Sequence, residues 1–266
     1  MLIMNKKNSR KALISQKSRN NFLGIPREHP RYKSLSTREL IVDGIRNGTT
    51  SLHGLIAHGR GEAFDYLIGE KTNNFAKEAL GAAACMLLNS KHPVISVNGN
   101  AAALAPKELV ELSKTINAPL EVNIFHSSKS RELKIKMHLI KSGARNVLLP
   151  NKKYDIKFIK SNRRYINQEG ILKADVVFVP LEDGDRAEAL IKNKKKVITI
   201  DLNPLSRTSQ NATITIVDNI MRAMPLLINT IRKYKKQKKN KLKKILKNYN
   251  NKIILSKAIR HMKRNI

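Results

Sequence analysis

Apolar residues recur along this chain at two spacings, and these spacings predict its secondary structure. Over residues 73–90, Phe75, Ala79, Ala83 and Leu87 recur at the spacing of one helix face. Farther along, short and nearly unbroken apolar runs such as Val176 to Val179 are typical of strands that are buried on both faces. We predict strands over residues 94–98, 120–125, 146–149, 175–179, 196–200 and 212–217.

Helical patterns precede and separate these strands. The sequence Ser36-Thr37-Arg38-Glu39 has the form of a capping box, which predicts a helix from there to about Asn47 with Gly48 as its C-cap. Because strands alternate with helices, we predict an α/β fold with a parallel sheet and helices on both faces, after a helical N-terminal segment. The other predicted helices cover residues 73–90 and 106–116, a stretch that ends near residue 142, and residues 185–193 and 218–234, whereas residues 54–71 are predicted to be loop-rich and residues 150–170 irregular and basic.

Charge is concentrated at the two ends of the chain. The 266 residues carry a net charge of +32, and residues 1–25 and 232–266 contain Lys and Arg but no Asp or Glu. Like-charge segments of this kind are usually solvated and attract polyanions without sequence preference. We therefore predict a basic disordered leader over residues 1–24 and a basic tail over residues 235–266, partly helical or disordered. The tail's apolar residues could form one helical face: Leu242, Ile245, Leu246, Ile253, Ile254, Ala258 and Ile259.

Several protein classes are excluded by composition. No apolar run approaches 18 residues, so we expect no transmembrane span, and the N-terminus lacks the apolar stretch of a secretory signal. Cys85 is the single cysteine, which excludes an internal disulfide and a cysteine metal cluster. Since Cys85 falls in an Ala-rich helical segment, we expect it in the core. These features are typical of a cytoplasmic protein.

Common nucleotide-binding fingerprints are missing. Gly99 is not part of a G-x-G-x-x-G sequence, because three alanines follow Asn100. Residues 69–72 resemble the end of a P-loop, but Glu70 separates the Gly from the Lys and Phe64 stands where the first Gly belongs. Neither a standard dinucleotide site nor a P-loop ATPase is indicated.

Polar clusters follow four of the predicted strands, where an α/β sheet of this kind binds its ligands. They are Asn98-Gly99-Asn100, Glu182-Asp183-Gly184-Asp185-Arg186, Asp201-Leu202-Asn203 with Arg207 nearby, and Asp218-Asn219. An acidic residue at a strand end often binds a ribose hydroxyl in such folds, and the donors of Arg suit a phosphate. Asp185 and the Asp218-Asn219 pair have an equally good structural explanation as helix N-caps.

One further cluster, His58-Gly59-Arg60-Gly61-Glu62, precedes the sheet. Glycines on both sides of Arg60 indicate a bent backbone that holds the guanidinium in a set direction. Arg31 and Arg38 add positive charge that folding does not require. Taken singly, each Arg is explained as a surface charge, but their occurrence with Gly and Asn favours a phosphate site.

Five segments together resemble one protein family. They are His29 to Tyr32, Gly54 to Glu70, Pro93 to Asn100, Asp175 to Glu188, and Asp201 to Arg207. These long motifs are similar to those of the archaeal 4-phosphopantoate–β-alanine ligase family, also called phosphopantothenate synthetase. The resemblance covers roughly residues 25–234 and leaves both basic ends outside.

The resemblance implies a Rossmann-like homodimer that performs an ATP-dependent ligation in coenzyme A biosynthesis. The family joins 4-phosphopantoate to β-alanine and forms 4′-phosphopantothenate, AMP and diphosphate, and we expect a phosphopantoyl-adenylate intermediate. By motif, the residues expected to contact ATP are Arg38, Arg60, Asp201, Leu202, Asn203, Arg207, Thr208, Asn219 and Ile220. Mg²⁺ is expected on the triphosphate rather than in a dedicated protein site, with Asp183 or Asp185 nearby.

Within this family hypothesis, the remaining polar residues are candidates for the other substrates. Arg60, His58 and Arg186 are the catalytic candidates, and Asn98, Gly99, Asn100, Asp183 and Asp185 are the substrate-binding candidates. Two alternatives stay open. One is a nucleic-acid-binding protein on a former enzyme scaffold, suggested by the basic ends. The other is a sugar-phosphate isomerase-like domain that binds no ATP.

Overall fold

A computed structural model describes residues 26–265 of the chain. The leader predicted over residues 1–24 lies outside the described residues. The chain divides into two compact units, one that ends at Leu40 and one that begins at Ile41, and each is described by itself. The N-terminal unit contributes the first part of helix α1 (Tyr32–Arg46), which confirms the predicted helical N-terminal segment.

Helix α1 begins earlier than the capping box predicts. The helix starts at Tyr32, and the hydroxyls of Ser36 and Thr37 both donate to the carbonyl of Lys33, at 2.9 and 2.7 Å. Side chains that bond back to the preceding turn do not cap a helix, so the predicted start was wrong. The predicted end is close, because Gly48 follows Arg46 by two residues and takes a left-handed φ of 71°.

Six parallel strands form the main sheet, in the order β3-β2-β1-β6-β7-β8. Ile95 of β1 pairs with Leu120 of β2 on one side and with Phe178 of β6 on the other. The strand order reverses beside β1, so the switch point lies between β1 and β6, where such sheets bind ligands. The strands are β1 (Pro93–Val97), β2 (Leu120–Val122), β3 (Val147–Leu148), β4 (Asn151–Asp155), β5 (Tyr165–Ile166), β6 (Val176–Phe178), β7 (Lys196–Ile200) and β8 (Ile214–Ile216), of which β4 and β5 form a separate antiparallel pair.

Both faces of the main sheet are covered, as the unbroken apolar runs predict. In β6, Val176 and Phe178 belong to one buried cluster, whereas Val177 and the following Val179 belong to the other. Successive side chains of a strand point to opposite faces, so these two clusters are the two sides of the sheet. The predicted α/β fold with a parallel sheet and helices on both faces is confirmed.

Most predicted helices are present, and four features were missed. Residues 52–67 form a helix instead of a loop, residues 151–166 contain the β4–β5 pair, and short helices span residues 99–104 and 207–211. Glycines lowered the predicted helix content of the first segment, although tertiary contacts described below favour it. The remaining helices are α2 (Leu52–Leu67), α3 (Asn74–Asn89), α4 (Gly99–Leu104), α5 (Pro106–Ile116), α6 (Lys129–Lys141), α7 (Gly184–Lys192), α8 (Arg207–Asn211), α9 (Ile220–Lys235), α10 (Lys239–Asn248) and α11 (Asn251–Arg264).

Cys85 lies on α3 and is buried, as predicted. Burial raises the pKa of its thiol to about 11. Among residues 26–265, no helix combines the length and the apolar character that crossing a membrane requires.

The C-terminal basic segment packs onto the core. Leu242 of α10 and Ile254, Leu255, Ala258 and Met262 of α11 are all buried, and the α11 residues belong to the same apolar cluster as the sheet and α3. The segment therefore forms helices docked against the α/β fold rather than a separate tail. Charge suggested a solvated end because Lys and Arg dominate its composition, but its apolar residues fall on one face of each helix.

Asn251 joins this C-terminal region to the edge strand β8. Its Nδ2 donates to the carbonyls of Ser209 and Ala212 at 2.9 and 3.1 Å, and its Oδ1 accepts from the backbone N–H of Thr215 at 2.8 Å. An edge strand presents unpaired backbone groups that favour association with other chains. Asn251 satisfies one of them and anchors the start of α11.

The two faces of α11 allow a matched stability test. We expect Leu255→Ala to lower the free energy of unfolding by about 2–5 kcal/mol, because it leaves a cavity in the core. Leu255 is 2% exposed, whereas the nearby Ile253 is 53% exposed. Ile253→Ala is therefore the control and should change stability by no more than about 0.5 kcal/mol. Urea denaturation measures both, and equal effects would contradict the docking of α11.

Candidate active site

Helix α2 lies against the carboxyl end of β1. Asn100 follows β1, and its Nδ2 donates to the carbonyl of Gly54 on α2 at 2.8 Å, while Thr50 Oγ1 donates to Asn100 Oδ1 at 2.5 Å. Gly54 has no room for a side chain, because a Cβ would overlap the polar atoms of Asn100 and Thr50. A Cβ on Gly99 would likewise lie 2.6 Å from the carbonyl oxygen of Thr49. Gly54 thus leaves room for two side chains, and Gly99 allows the close approach of two backbones.

The same helix continues along the ends of β7 and β8. Gly61 lies beside Leu202, which follows β7, since a Cβ on Gly61 would be 3.8 Å from Leu202 Cδ1. Near the helix end, the carboxylate of Asp65 accepts from Asn219 Nδ2 at 2.8 Å, after β8. Helix α2 thus spans the carboxyl ends of three strands and brings together three of the clusters found in the sequence. His58 lies on this helix and is partly buried.

Arg60 is exposed on α2 and lies near Asp201. Burial raises the pKa of Asp201, and the positive charge of Arg60 is among the influences that lower it. The Asp201 carboxylate accepts from the backbone N–H of Asn203 at 2.9 Å and from the hydroxyl of Ser206. Asn203 Oδ1 in turn accepts from the N–H of Leu205 at 2.9 Å. Both acceptor side chains are therefore used to shape the loop after β7.

Arg207 and Thr208, at the start of α8, have different surroundings. Arg207 is exposed, and its Nη2 donates to Glu188 Oε2 at 2.8 Å. Thr208 is buried, and its hydroxyl donates to the carbonyl of Glu182 at 2.7 Å. The Arg207 guanidinium can reach a ligand in solution, whereas the Thr208 side chain connects two loops.

Asn98 joins the two strands at the switch point. Its Nδ2 donates to the carbonyls of Pro180 and Leu181, each at 2.9 Å, and its Oδ1 accepts from the N–H of Ala101 at 3.0 Å. The side chain therefore caps α4 and connects the end of β1 to the loop after β6. This placement supports a positioning role more than direct substrate contact.

Arg186 is enclosed by protein. Its side chain is fully buried on α7, and its Nη1 donates to Glu182 Oε2 at 2.8 Å and to Ser96 Oγ at 3.1 Å. Its Nε and Nη2 have no hydrogen-bond partner among residues 26–265. The full burial of Arg186 does not support the predicted direct contact of this side chain with a substrate.

Arg163 is a site residue that the sequence analysis missed. Its buried guanidinium forms ion pairs with Glu182 and Asp183 after β6. Its Nε donates at 3.0 Å to Asn123 Oδ1, after β2, and Asn123 Nδ2 donates back to the carbonyl of Arg163 at 3.1 Å. Arg163 therefore connects the ends of β2 and β6, on either side of β1. Its segment was distinguished in the sequence only by being basic and irregular.

A buried acid on β2 extends this group of charges. Glu121 accepts from the backbone N–H groups of Asn167 and Ile171, at 2.9 and 2.7 Å. Burial raises the pKa of its carboxyl to about 7, although both hydrogen bonds and the charge of Arg186 act in the opposite direction. The hydrogen bonds fix the segment that follows β5 against the sheet.

A second charged network lies after β8. Arg222 pairs with Asp65 at 2.5 Å and with Asp218 at 2.7 Å, and Thr72 Oγ1 donates to Asp218 Oδ2 at 2.6 Å. Burial raises the pKa of Asp218, and Arg222 opposes this. Of the Asp218-Asn219 pair, Asn219 is the helix cap, since its Oδ1 accepts from the N–H two residues later. The following residue, Ile220, is buried.

The two carboxylates predicted near Mg²⁺ are already engaged. Asp183 pairs with Arg163, and Asp185 Oδ1 accepts from the N–H of Arg186 at 2.9 Å. In the described part of the chain, no group of three or more His, Cys, Asp or Glu side chains could hold a metal ion. Arg38 lies on α1 in the unit that ends at Leu40, and its contact with ATP stays a prediction.

Comparison with known proteins gives a single family. The sequence model of the phosphopantothenate/pantothenate synthetase family matches residues 75–265. A 4-phosphopantoate–β-alanine ligase from Thermococcus kodakarensis is 49% identical, with 91% of this chain and 93% of the relative covered. A ligase of the same name from Methanosarcina mazei is 50% identical, with 88% of this chain and 92% of the relative covered.

The chain belongs to the phosphopantothenate/pantothenate synthetase family. The family match extends through α10 and α11, so the expectation that the resemblance ends near residue 234 was wrong. The sequence of the two docked C-terminal helices therefore lies within the family match. Their apolar contacts with the core give a physical reason for that extent.

Two glycines of α2 in the synthetase permit a matched test of its position. Gly54→Ala should lower the free energy of unfolding by about 1–3 kcal/mol, because the new methyl group overlaps Asn100 and Thr50. A methyl group on Gly59 would meet no described atom within 4 Å, so Gly59→Ala should raise stability by up to about 1 kcal/mol through helix propensity. Chemical denaturation of both variants checks this, and a stabilising Gly54→Ala would contradict the close packing of α2.

Proposed function

We propose that this synthetase joins 4-phosphopantoate to β-alanine in an ATP-dependent reaction of coenzyme A biosynthesis. The products would be 4′-phosphopantothenate, AMP and diphosphate. The observation that carries this proposal is the 49–50% identity, over about nine-tenths of the chain, with relatives named 4-phosphopantoate–β-alanine ligase. The exposed Arg60 on the glycine-rich helix α2 agrees with a ligand of high negative charge.

The chemistry requires activation of a carboxylate. In the proposed first step, a carboxylate oxygen of 4-phosphopantoate attacks the α-phosphorus of ATP, and diphosphate leaves. In the second step, the β-alanine ammonium group first loses one proton to solvent. The amine nitrogen then attacks the acyl carbon, the bond to the AMP oxygen breaks, and the nitrogen loses a second proton to solvent. Both steps bring anions together, so positioning and charge stabilisation are the protein's main contributions.

We propose that ATP binds along the carboxyl ends of the strands. Arg60 and Arg207 are exposed cations near the loop after β7, and a guanidinium binds phosphate oxygens through paired donors. In this proposal, the loop of Asp201, Leu202 and Asn203 contacts the nucleoside through its backbone, because the carboxylate of Asp201 already accepts two hydrogen bonds. Backbone groups at Asn219 and Ile220 would extend this contact.

The proposal includes Mg²⁺ as an ion bound by the triphosphate of ATP. The described residues do not fit a dedicated metal site, since Asp183 and Asp185 are engaged by Arg163 and by a backbone N–H. The chain's own contribution would be to hold the nucleotide phosphates. Phosphate oxygens supply ligands that Mg²⁺ prefers.

Omission of each substrate in turn tests the reaction. We expect AMP release from ATP in sustained turnover only when 4-phosphopantoate and β-alanine are both present. A coupled AMP assay measures this. Release of ADP instead, or turnover without β-alanine, would reject the proposed AMP-forming ligation. Absence of ATP binding in a titration would favour the isomerase-like alternative.

Arg60 is the residue whose removal should affect turnover most directly. We expect Arg60→Ala to lower kcat by roughly 100- to 1000-fold, which is typical for loss of one preorganised donor to developing charge. Because Arg60 is exposed, the variant should unfold at the same temperature as the parent protein. Arg232→Ala, at an exposed residue that pairs with Glu111 on another surface, is the control. Retained turnover in Arg60→Ala would remove Arg60 from the proposed site.

Contact with polyanions is a second proposal, supported by the outer faces of α10 and α11. Lys241, Lys243, Lys244 and Lys247 are exposed on α10, whose apolar side contacts the core. Binding to a nucleic-acid backbone through such a face should be non-specific and fall steeply with salt. Changing all four to Gln should weaken binding of a labelled RNA oligonucleotide and leave turnover unchanged. Equal binding by the variant would contradict this proposal.

A homodimer also remains a proposal, from the family resemblance. Large apolar side chains on α2 agree with it, since Leu52 and Ile56 are 67% and 73% exposed. Light scattering after size exclusion would give about twice the chain mass of 30.1 kDa if the proposal is right.

A further inference from the structure

Asp183 is the exposed member of a group of otherwise buried charged residues. It follows β6 beside the switch point, and its side chain is 53% exposed, whereas those of Arg163, Glu182 and Arg186 are at most 2% exposed. These four residues form a continuous chain of ion pairs, from Asp183 through Arg163 and Glu182 to Arg186. Asp183 is therefore the member of this group that a ligand in solution can reach.

The Asp183 carboxylate does not cap the helix that it precedes. Asp183 stands at the N-cap position of α7, where Asp normally accepts from a backbone N–H of the first turn, but within the described chain its side chain makes no such bond. Arg163 instead binds its Oδ2 atom, and Asn123 holds the Arg163 guanidinium from the other side. The carboxylate is thus oriented by a buried cation that comes from a distant part of the sequence.

The charges around Asp183 favour a particular class of ligand. The charges of Asp183, Arg163, Glu182 and Arg186 sum to zero, so neither a divalent cation nor a phosphate meets the excess of opposite charge that its binding requires. A primary ammonium group carries one charge and can donate a hydrogen bond to a carboxylate oxygen. A zwitterionic amino acid therefore fits this balanced group of charges better than ATP or a metal ion.

A second observation marks this network as more than a structural ion pair. Arg186 is completely buried, and two of its donor atoms, Nε and Nη2, have no partner among residues 26–265. Buried polar groups nearly always have a partner in the protein, in ordered water or in a bound group, so these two donors need such a partner. Arg186 belongs to the same chain of ion pairs as the exposed Asp183.

We propose that Asp183 binds the ammonium group of β-alanine and that Arg163 is the positioning residue that orients the Asp183 carboxylate. The inference rests on the ligation proposed above and assigns its amine substrate to the switch point. Asp183 accepts a hydrogen bond from the nitrogen and holds it on the sheet side of the activated carboxyl group. It takes part in binding alone, and the protons lost by the nitrogen go to solvent.

The two half-reactions separate this role from ATP binding. Exchange of labelled diphosphate into ATP needs only ATP and 4-phosphopantoate, whereas amide formation also needs β-alanine. We expect Asp183→Asn to raise the KM for β-alanine by roughly 10- to 100-fold, the range for loss of one charge-assisted hydrogen bond. Exchange should stay within about twofold of the parent protein, since the adenylation step is untouched. Asp155→Asn, at an exposed carboxylate on β4, is the matched control and should change neither quantity.

Arg163→Lys tests the positioning role. Lysine keeps the positive charge but cannot bind Asn123 and both acids at once. We expect a raised KM for β-alanine with an unchanged KM for ATP, and thermal unfolding shows whether the variant is folded. Asp183→Glu, which keeps the carboxylate, should recover part of the β-alanine affinity that Asp183→Asn loses.

Three outcomes decide between the proposals. If Asp183→Asn lowers exchange as much as amide formation, or leaves the KM for β-alanine unchanged, the inference about Asp183 is wrong while the ligase proposal stands. If the parent protein forms no AMP with all three substrates, the proposed function is wrong and this inference falls with it. A raised KM for β-alanine with retained exchange supports both.

Discussion

The sharing of Glu182 by two buried arginines constrains the carboxyl end of this sheet. Arg163 comes from the segment after β4 and Arg186 from α7, and both bind one carboxylate that is itself fully buried. Buried charges are costly unless each is paired, so these elements cannot separate without leaving an unpaired charge. The loop after β6 is therefore held in one place, and the group exposed on it, Asp183, is held with it.

Helix α2 is held against the ends of β1, β7 and β8. Its contacts lie at Gly54, Gly61 and Asp65, spaced along its length, and each meets a residue that follows a different strand. The helix contains three glycines, which reduces its intrinsic stability. Two of them lie against the strand ends, so close packing replaces the lost helix propensity. The outcome is a helix that carries Arg60 across the edge where sheets of this type bind ligands.

In the C-terminal region, the local composition predicts one structure and the tertiary contacts produce another. Its composition is that of a solvated basic segment, but Asn251 and the apolar face of α11 hold it against β8 and α3. The net charge reflects the exposed face of these helices and does not predict how the apolar face packs. The family match through residue 265 agrees with a docked rather than an accessory segment.

Local pattern was enough to predict the parallel α/β sheet, the limits of α3, α5 and β7, the burial of Cys85 and the family. Those features depend on residues close in sequence, or on apolar spacing that only one sheet arrangement satisfies. Tertiary structure alone decided that residues 52–67 are helical, that Arg163 pairs with Glu182 and Asp183, and that the side chains of Asn98 and Arg186 bind protein groups. Each of these depends on contacts between segments distant in the chain, such as the 82 residues between Asn98 and Pro180. No local propensity encodes such a contact.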